Sequence, residues 1–397
     1  MDMKRESIFF TLLVSFAAAC TSDNQSKDGL SSIDVGKNYP VKEIILTDIA
    51  DVMYVHLNTN DDDYLYKGCI RYETENTLVV PDEVSGSILF FSKDGSPKSR
   101  FNRYGSGPQE YVMKGRELQV IYDESADDVF VRSNFVIQVY SSMGEYKRTL
   151  KLPHGTSPLK IVDFDDQSLF LYDQSKHQYN NFYKMFGKEK YFVPHYDNDS
   201  SYFHISKTDG KIPDYLIFPS NEIDMTELLN DGSSVWHHRR NMKKHDAGVF
   251  LCHSDIDTVF LYGKDRSLTP VFCKTPLVSD MASKAILYNF MEVEKYQFFC
   301  VCHFSGKIGG DYKYYFRDKQ TGEIFRQKII LPDYKGEDFS LFDNMLTFSG
   351  NEAVTALGLS ELKKAYRENR LSGQLKELVA TLNEEKDNDV NMLIRFK

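Results

Sequence analysis

Ile88-Leu-Phe-Phe-Ser-Lys-Asp-Gly95 is an aromatic, apolar strand that runs into a turn closed by glycine. The same plan recurs as Val136-Ile-Gln-Val-Tyr-Ser-Ser-Met-Gly144 and Tyr202-Phe-His-Ile-Ser-Lys-Thr-Asp-Gly210. It returns in Thr258-Val-Phe-Leu-Tyr-Gly-Lys-Asp-Arg266 and in Tyr314-Tyr-Phe-Arg-Asp-Lys-Gln-Thr-Gly322. The turn positions are separated by 49, 66, 56 and 56 residues. Short strands repeating at a period near 50 mark the blades of a β-propeller, units that cannot bury both faces alone. Such a ring hosts many unrelated activities, so the repeat speaks to architecture and not to chemistry.

The first residues belong to another argument. Lys4 and Arg5 precede Ile8-Phe-Phe-Thr-Leu-Leu-Val-Ser-Phe-Ala-Ala-Ala19, an apolar run of 12 residues ending in alanines. A bilayer span needs about 20 apolar residues, so this run suits a signal-peptide core instead. Cys20 follows directly and resembles the lipidated cysteine of a bacterial lipobox; the alternative is ordinary cleavage after Ala19. The Ser, Asp, Asn, Lys and Gly-rich stretch from Thr21 to Gly36 reads as a flexible tether. The expected organisation is a signal peptide over 1–19, a lipidated cysteine and tether over 20–38, and one propeller domain over 39–397.

Composition agrees. The 28 Phe and 25 Tyr favour strands and pack between sheets. A net charge of −10 with mixed signs argues against a nucleic-acid surface and against adhesion to anionic lipid, leaving the anchor as the membrane contact. Without Cys20, five cysteines remain, an odd number that cannot complete a disulfide framework.

Blade one is read over Cys69–Glu73, Thr77–Val80, Ile88–Ser92 and Lys98–Phe101, and blade two over Glu117–Tyr122, Val129–Arg132, Val136–Tyr140 and Tyr146–Leu152. Blade three takes Leu159–Asp163, Ser168–Tyr172, Tyr202–Ser206 and Ile212–Phe218, with an insertion from Asp173 to Ser200. Blade four is placed at Val235–Arg239, Val249–His253, Thr258–Tyr262 and Pro270–Lys274, and blade five within Lys284 to Leu331. The sixth is split between the termini: Phe339–Phe342, Met345–Ser349, Ala353–Leu357 and a last strand over Val390–Phe396. An early strand, Val41–Leu46 or Val52–Leu57, is expected beside that last one to close the ring. Leu371, Leu375, Leu378, Val379 and Leu382 add an apolar stripe at helical spacing.

Arg103-Tyr-Gly-Ser-Gly-Pro-Gln-Glu-Tyr111 is the densest short motif. A phosphate loop needs a helix after it, whereas here a strand follows, so Gly105, Gly107, Pro108 and Tyr111 read as a blade-to-blade crossover. Arg103, Gly105, Gly107, Pro108, Glu110 and Tyr111 resemble the crossover of six-bladed β-propeller lipoproteins of gut Gram-negative bacteria, relatives of NHL-type propellers. Gln109 stands where that group usually has glycine. Asp257-Thr-Val-Phe260 and the closing Asn388-Asp-Val-Asn-Met-Leu-Ile-Arg-Phe-Lys397 also resemble it, with Asp389 in place of proline. The resemblance implies an all-β six-bladed ring closed by its termini, held in the cell envelope at the outer membrane, and no particular reaction.

Asp123-Glu-Ser-Ala-Asp-Asp128 and Asp163-Phe-Asp-Asp-Gln-Ser168 fall at the same repeat position, lack a calcium loop's ligand spacing, and read as solvated blade turns. Cys252-His253 and Cys300, Cys302, His303 fit no compact zinc spacing, so no metal and no cofactor is expected. Trp236-His-His-Arg-Arg240, holding the only Trp, is assigned to the channel-lining first strand of blade four. There Trp236, His237 and Arg239, with Arg103, form the candidate ligand site, since Trp stacks on sugar rings and Arg grips carboxylates. The leading expectation is a lipid-anchored binding or scaffolding module for a glycan or partner protein; the alternative is a hydrolase or lyase on a glycan or lactone.

Overall fold

Six sheets form the ring, each with four antiparallel strands and two of them extended by a fifth, parallel strand. The computed structural model describes residues 29–59, 63–113, 118–153, 158–173, 201–218, 223, 225–237, 240–307, 310–336, 339, 346–347 and 351–397. Blade 1 comprises Tyr72–Glu73, Thr77–Pro81, Ile88–Ser92 and Pro97–Phe101; blade 2 comprises Val120–Asp123, Asp128–Ser133, Val136–Tyr140 and Tyr146–Lys151. Blade 3 holds Pro158–Asp163, Ser168–Asp173, Tyr202–Ser206 and Tyr215–Leu216. Blade 4 holds Arg240–His245, Gly248–His253, Thr258–Gly263 and Leu268–Thr275, and blade 5 holds Ala285–Glu292, Tyr296–His303, Asp311–Asp318 and Ile324–Ile330.

Blade 6 joins both ends of the chain. Val390–Phe396 lies between Glu352–Leu357 and the early strand Ala50–His56, with Leu346–Thr347 beyond. Of the two early strands expected to close the ring, the later one does so. The earlier one, Val41–Ile45, runs parallel to Ile324–Ile330 as a fifth strand of blade 5. Ser31–Asp34, which the sequence reading placed inside the tether, runs parallel to Leu268–Thr275 as a fifth strand of blade 4. The propeller therefore starts at or before Ser31.

Hydrophobic packing is organised between blades. One cluster joins blades 1 and 2 through Val79, Phe90, Tyr122 and Val131; another joins blades 3 and 4 through Phe170, Tyr172, Val249 and Leu251. Comparable clusters fill the other four interfaces. The second strands of blades 2, 3 and 4 are buried along their whole length because a neighbouring blade covers each face. Between the second and third strands of blade 6, helices Leu359–Arg367 and Gly373–Thr381 bury Leu362, Leu375 and Val379 against blades 5 and 6. Asp389, the residue standing for proline, accepts the Leu359 N–H at 2.8 Å and so satisfies a free donor at that helix start.

Candidate functional site in the central channel

The first strands of blades 1, 3 and 4 carry the charged residues Glu73, Lys160, Asp163, Lys243 and Lys244, whereas those of blades 2 and 5 are mostly apolar and buried. Between the first strands of blades 1, 2, 3 and 4 lies a cavity of about 190 Å³. Arg71, Tyr72 and Glu73 line it from blade 1, and Lys244 from blade 4, which stands opposite in a ring of six. Lys160 and Asp163 enter from blade 3, and Gln119 precedes the blade 2 strand.

Asp163 organises this wall. It accepts the Tyr72 hydroxyl at 2.7 Å and faces Lys207 at 2.9 Å and Lys244 at 3.2 Å. Burial pushes its carboxyl pKa up, but Lys244, then Lys207 and the hydrogen bonds, outweigh this and hold it below the usual range. Burial, with Asp163 beside it, lifts the Tyr72 phenol well above 10.0, so the hydroxyl is a fixed donor. Lys207 also reaches Asp123 at 3.5 Å, which ties blade 2 to blade 3. Glu73 is held by Lys93, and Arg71 pairs with Glu83 at 2.5 Å. Next to Lys244, burial first and then the charge of Lys160 push the Lys243 ammonium down to about 8. The rest of the lining is apolar, from Leu118, Val120, Ile121, Ile161, Val162 and Met242.

The residues proposed from sequence lie elsewhere. Ser234–Trp236 pairs with Thr226–Leu228 in a separate hairpin ahead of blade 4, and the blade's first strand begins only at Arg240. Trp236 is therefore not on a channel-lining strand; Arg239 lies outside the described residues, as does Cys20. His237 is buried, 2.6 Å from Glu227, with its ring stacked on Phe304. The other Glu227 oxygen accepts the Gly306 N–H at 2.5 Å, so the pair fastens the hairpin to blade 5.

Arg103 donates from Nε to the Gly144 carbonyl at 2.9 Å. Around it, Gly107 N–H donates to Glu110 at 2.7 Å, and Tyr111, fully buried, donates its hydroxyl to Gly86 O at 2.6 Å. Tyr140 donates to Gln109 O and Gln138 donates to Pro108 O, so backbone carbonyls of the loop are bonded to blade 2. The motif lies between the last strand of blade 1 and the first strand of blade 2.

Two other readings are refined. The acidic runs do occupy first-to-second-strand turns, but several of their carboxylates are not simply solvated. Glu124 accepts from Thr77 at 2.6 Å and from Thr74 at 2.8 Å, and though burial opposes it, these bonds hold its pKa at about 2. Asp128 holds Lys147 and Arg148. Cys252, whose thiol burial lifts to about 12, packs between blades 4 and 5, whereas Cys302 sits in a different cluster. Among the described residues, no three His, Cys, Asp or Glu side chains converge. Asp257, first residue of the Asp257-Thr-Val-Phe260 run, pairs with buried Lys274 at 2.6 Å and accepts the Val278 N–H at 3.0 Å, a structural use of that motif.

Comparison with known proteins places this geometry. The profile of a family described as 6-bladed beta-propeller matches residues 21–221. No curated protein matches the sequence. A Bacteroides fragilis protein that its name assigns to export is 17% identical, with a TM-score of 0.60 over 90% of this chain and 99% of that one. The Neurospora crassa Pan2 WD40 domain gives a TM-score of 0.35 at 7% identity, covering 69% of this chain and 71% of that one. A luciferin-regenerating enzyme gives 0.38 at 9% identity, covering 87% and 98%.

Proposed function

The chain belongs to the six-bladed β-propeller family, and from that premise we propose that it is an exported binding module whose ligand sits in the central channel. One observation carries this reading: the cavity where the charged and polar residues Arg71, Tyr72, Glu73, Lys160, Asp163 and Lys244 meet apolar ones such as Val120, Ile161 and Met242, in a ring otherwise packed with Phe and Tyr. Its carboxylates are fixed in position by Lys93, Lys207 and Lys244, so the wall keeps its shape around the cavity. Ring binding sites formed by several blades give many directions of approach for hydrogen bonds to a sugar or a peptide end.

Export rests on the apolar run before Cys20, and lipidation of Cys20 would place the propeller at the outer membrane. The Bacteroides fragilis protein of the same fold carries its own export assignment. Among the described residues no helix is long and apolar enough to cross a membrane. Palmitate labelling that survives in Cys20→Ala would remove the anchor from this proposal. For the binding role, a glycan and organic-acid panel read by calorimetry is expected to give a ligand lost in Tyr72→Phe combined with Lys244→Met. Turnover of a glycan or lactone by the purified protein would instead favour the hydrolase or lyase reading.

A further inference from the structure

We propose a second binding site outside the channel, on the end of the ring where the crossovers run, that takes the C-terminal residue of a peptide, with its carboxylate on Lys67 and its apolar side chain against Val84 and Met113. The two ends of the ring differ. Among the described residues, the exposed side chains of Leu65, Val84, Tyr104, Phe135, Ile217 and Leu228 all belong to crossovers or to second-to-third-strand turns. The opposite end carries the first-to-second and third-to-fourth turns, and among the described residues Met143 is its one exposed large apolar side chain. Single exposed apolar residues are ordinary, but their gathering on one end marks an interaction face.

Within this face lies a cavity of about 430 Å³, lined by Lys67, Gly68, Glu83, Val84 and Met113. Ligand cavities are typically about 300–1,000 Å³. Its walls are fixed before anything binds. Asp82 accepts the Lys67 N–H at 3.1 Å and the Val84 N–H at 3.0 Å, and the Glu83 N–H donates to the Lys67 carbonyl at 2.8 Å. Tyr104 packs beside the same turn, where a Cβ on Gly86 would lie 2.9 Å from its own Cβ. Glu83 is neutralised by Arg71 at 2.5 Å, whereas the Lys67 ammonium has no ion-pair or hydrogen-bond partner among the described residues. Lys67 is thus the one uncompensated charge of the lining, and it selects a carboxylate. Val84, 73% exposed, and Met113 offer no flat ring for a sugar to stack on, so they select an aliphatic side chain. The last residue of a peptide carries both groups on one carbon. It adds an N–H that the second Glu83 oxygen, without a partner among the described residues, can accept.

The test uses the full mature chain and fluorescence anisotropy with three labelled pentapeptides: Gly-Ser-Gly-Ser-Leu as the free acid, the same sequence as its C-terminal amide, and Gly-Ser-Gly-Ser-Ser as the free acid. The leucine acid should bind, and the amide and the serine peptide should each bind more weakly by about tenfold or more. Lys67→Met should bring the leucine acid down to the affinity of the amide, and Val84→Asp should weaken it by about tenfold. Lys211→Met, at a surface lysine paired with Asp209, should leave it unchanged. Lys67 and Val84 are both exposed, so circular dichroism should show the native ring; should Val84→Asp alter it, Val84→Ser serves in its place. An amide bound as tightly as the acid overturns the site, as does a serine peptide bound as tightly as the leucine one, or no binding by any of the three. Tyr72→Phe combined with Lys244→Met should leave leucine binding intact. Loss in that variant with no effect of Lys67→Met would put the peptide in the channel, overturning this site and leaving the channel reading standing.

Discussion

At Gly144 the backbone has φ of +81°, and a Cβ there would lie 2.5 Å from the Cβ of Phe101 on the last strand of blade 1. Gly95 shows the same pairing: φ of +87° and a Cβ that would meet the His56 carbonyl at 2.1 Å on the strand that closes blade 6. At these two turns the glycine is therefore fixed twice, by its turn and by the outer strand of the preceding blade. Gly144→Ala is expected to destabilise the fold by about 2–4 kcal/mol, combining a left-handed backbone with overpacking. Urea unfolding monitored by fluorescence would measure it, and a loss below about 0.5 kcal/mol would show that the turn relaxes freely. The fourth turn tells the converse. Arg266 takes φ of +65° and pairs with Asp214 at 2.5 Å. An exposed ion pair contributes about 0–1 kcal/mol, similar to the backbone strain it sits on, so Arg266→Gly should change stability by less than about 1 kcal/mol. At this scale the repeat was readable because glycine reports its own backbone angle. Its second cause was hidden, since Phe101 and His56 become neighbours only in the closed ring.

Blade 4 shows where elements escape a sequence reading. Its first strand, Arg240-Asn-Met-Lys-Lys-His245, holds a single large apolar residue because it borders the channel and not a core. Strand recognition leans on alternating apolar residues, so the register slid back to Val235–Arg239, where Val and Trp gave a stronger signal. Lys160 and Asp163 lie on the strand expected over Leu159–Asp163, whereas Lys244 lies on the polar strand that the displaced register passed over. The hairpin that displaced the register is itself anchored by one buried pair. Glu227→Ala would leave His237 and the Gly306 N–H without their shared acceptor, costing about 2–3 kcal/mol in local stability. Hydrogen exchange should then quicken across residues 225–237 while the blade 1 and blade 2 sheets stay protected. Uniform exchange changes over the whole ring would mean that the pair supports the fold globally.

On the scale of the molecule, residues 31–56 serve as its clasp. Ser31–Asp34, Val41–Ile45 and Ala50–His56 extend blades 4, 5 and 6 in turn before blade 1 begins, so three blades depend on one N-terminal segment. Closure by the termini was legible from the β-rich C-terminal strand. The two parallel additions were not, because edge pairing through backbone bonds leaves little trace in side chains. A ring closed this way should unfold cooperatively, and its response to acid follows from buried imidazoles. His204 is fully buried between Ser168 and the Tyr262 hydroxyl, and burial lowers its pKa below 6.5; burial does the same to His56, His245 and His303. Between the lowered value and 6.5 the folded chain binds fewer protons than the unfolded one, so stability falls as pH falls through that window. The depressed carboxylates of Glu124, Asp128 and Asp163 add their loss only below about pH 4.5, where the unfolded chain begins to take up their protons. Urea midpoints should therefore drop between pH 7.5 and 5.5, by about 1–2 kcal/mol for His204 alone, well before the carboxylates titrate. His204→Gln should be less stable at pH 7.5 yet show a shallower fall, and a slope as steep as that of the unmodified chain would clear His204 of the effect.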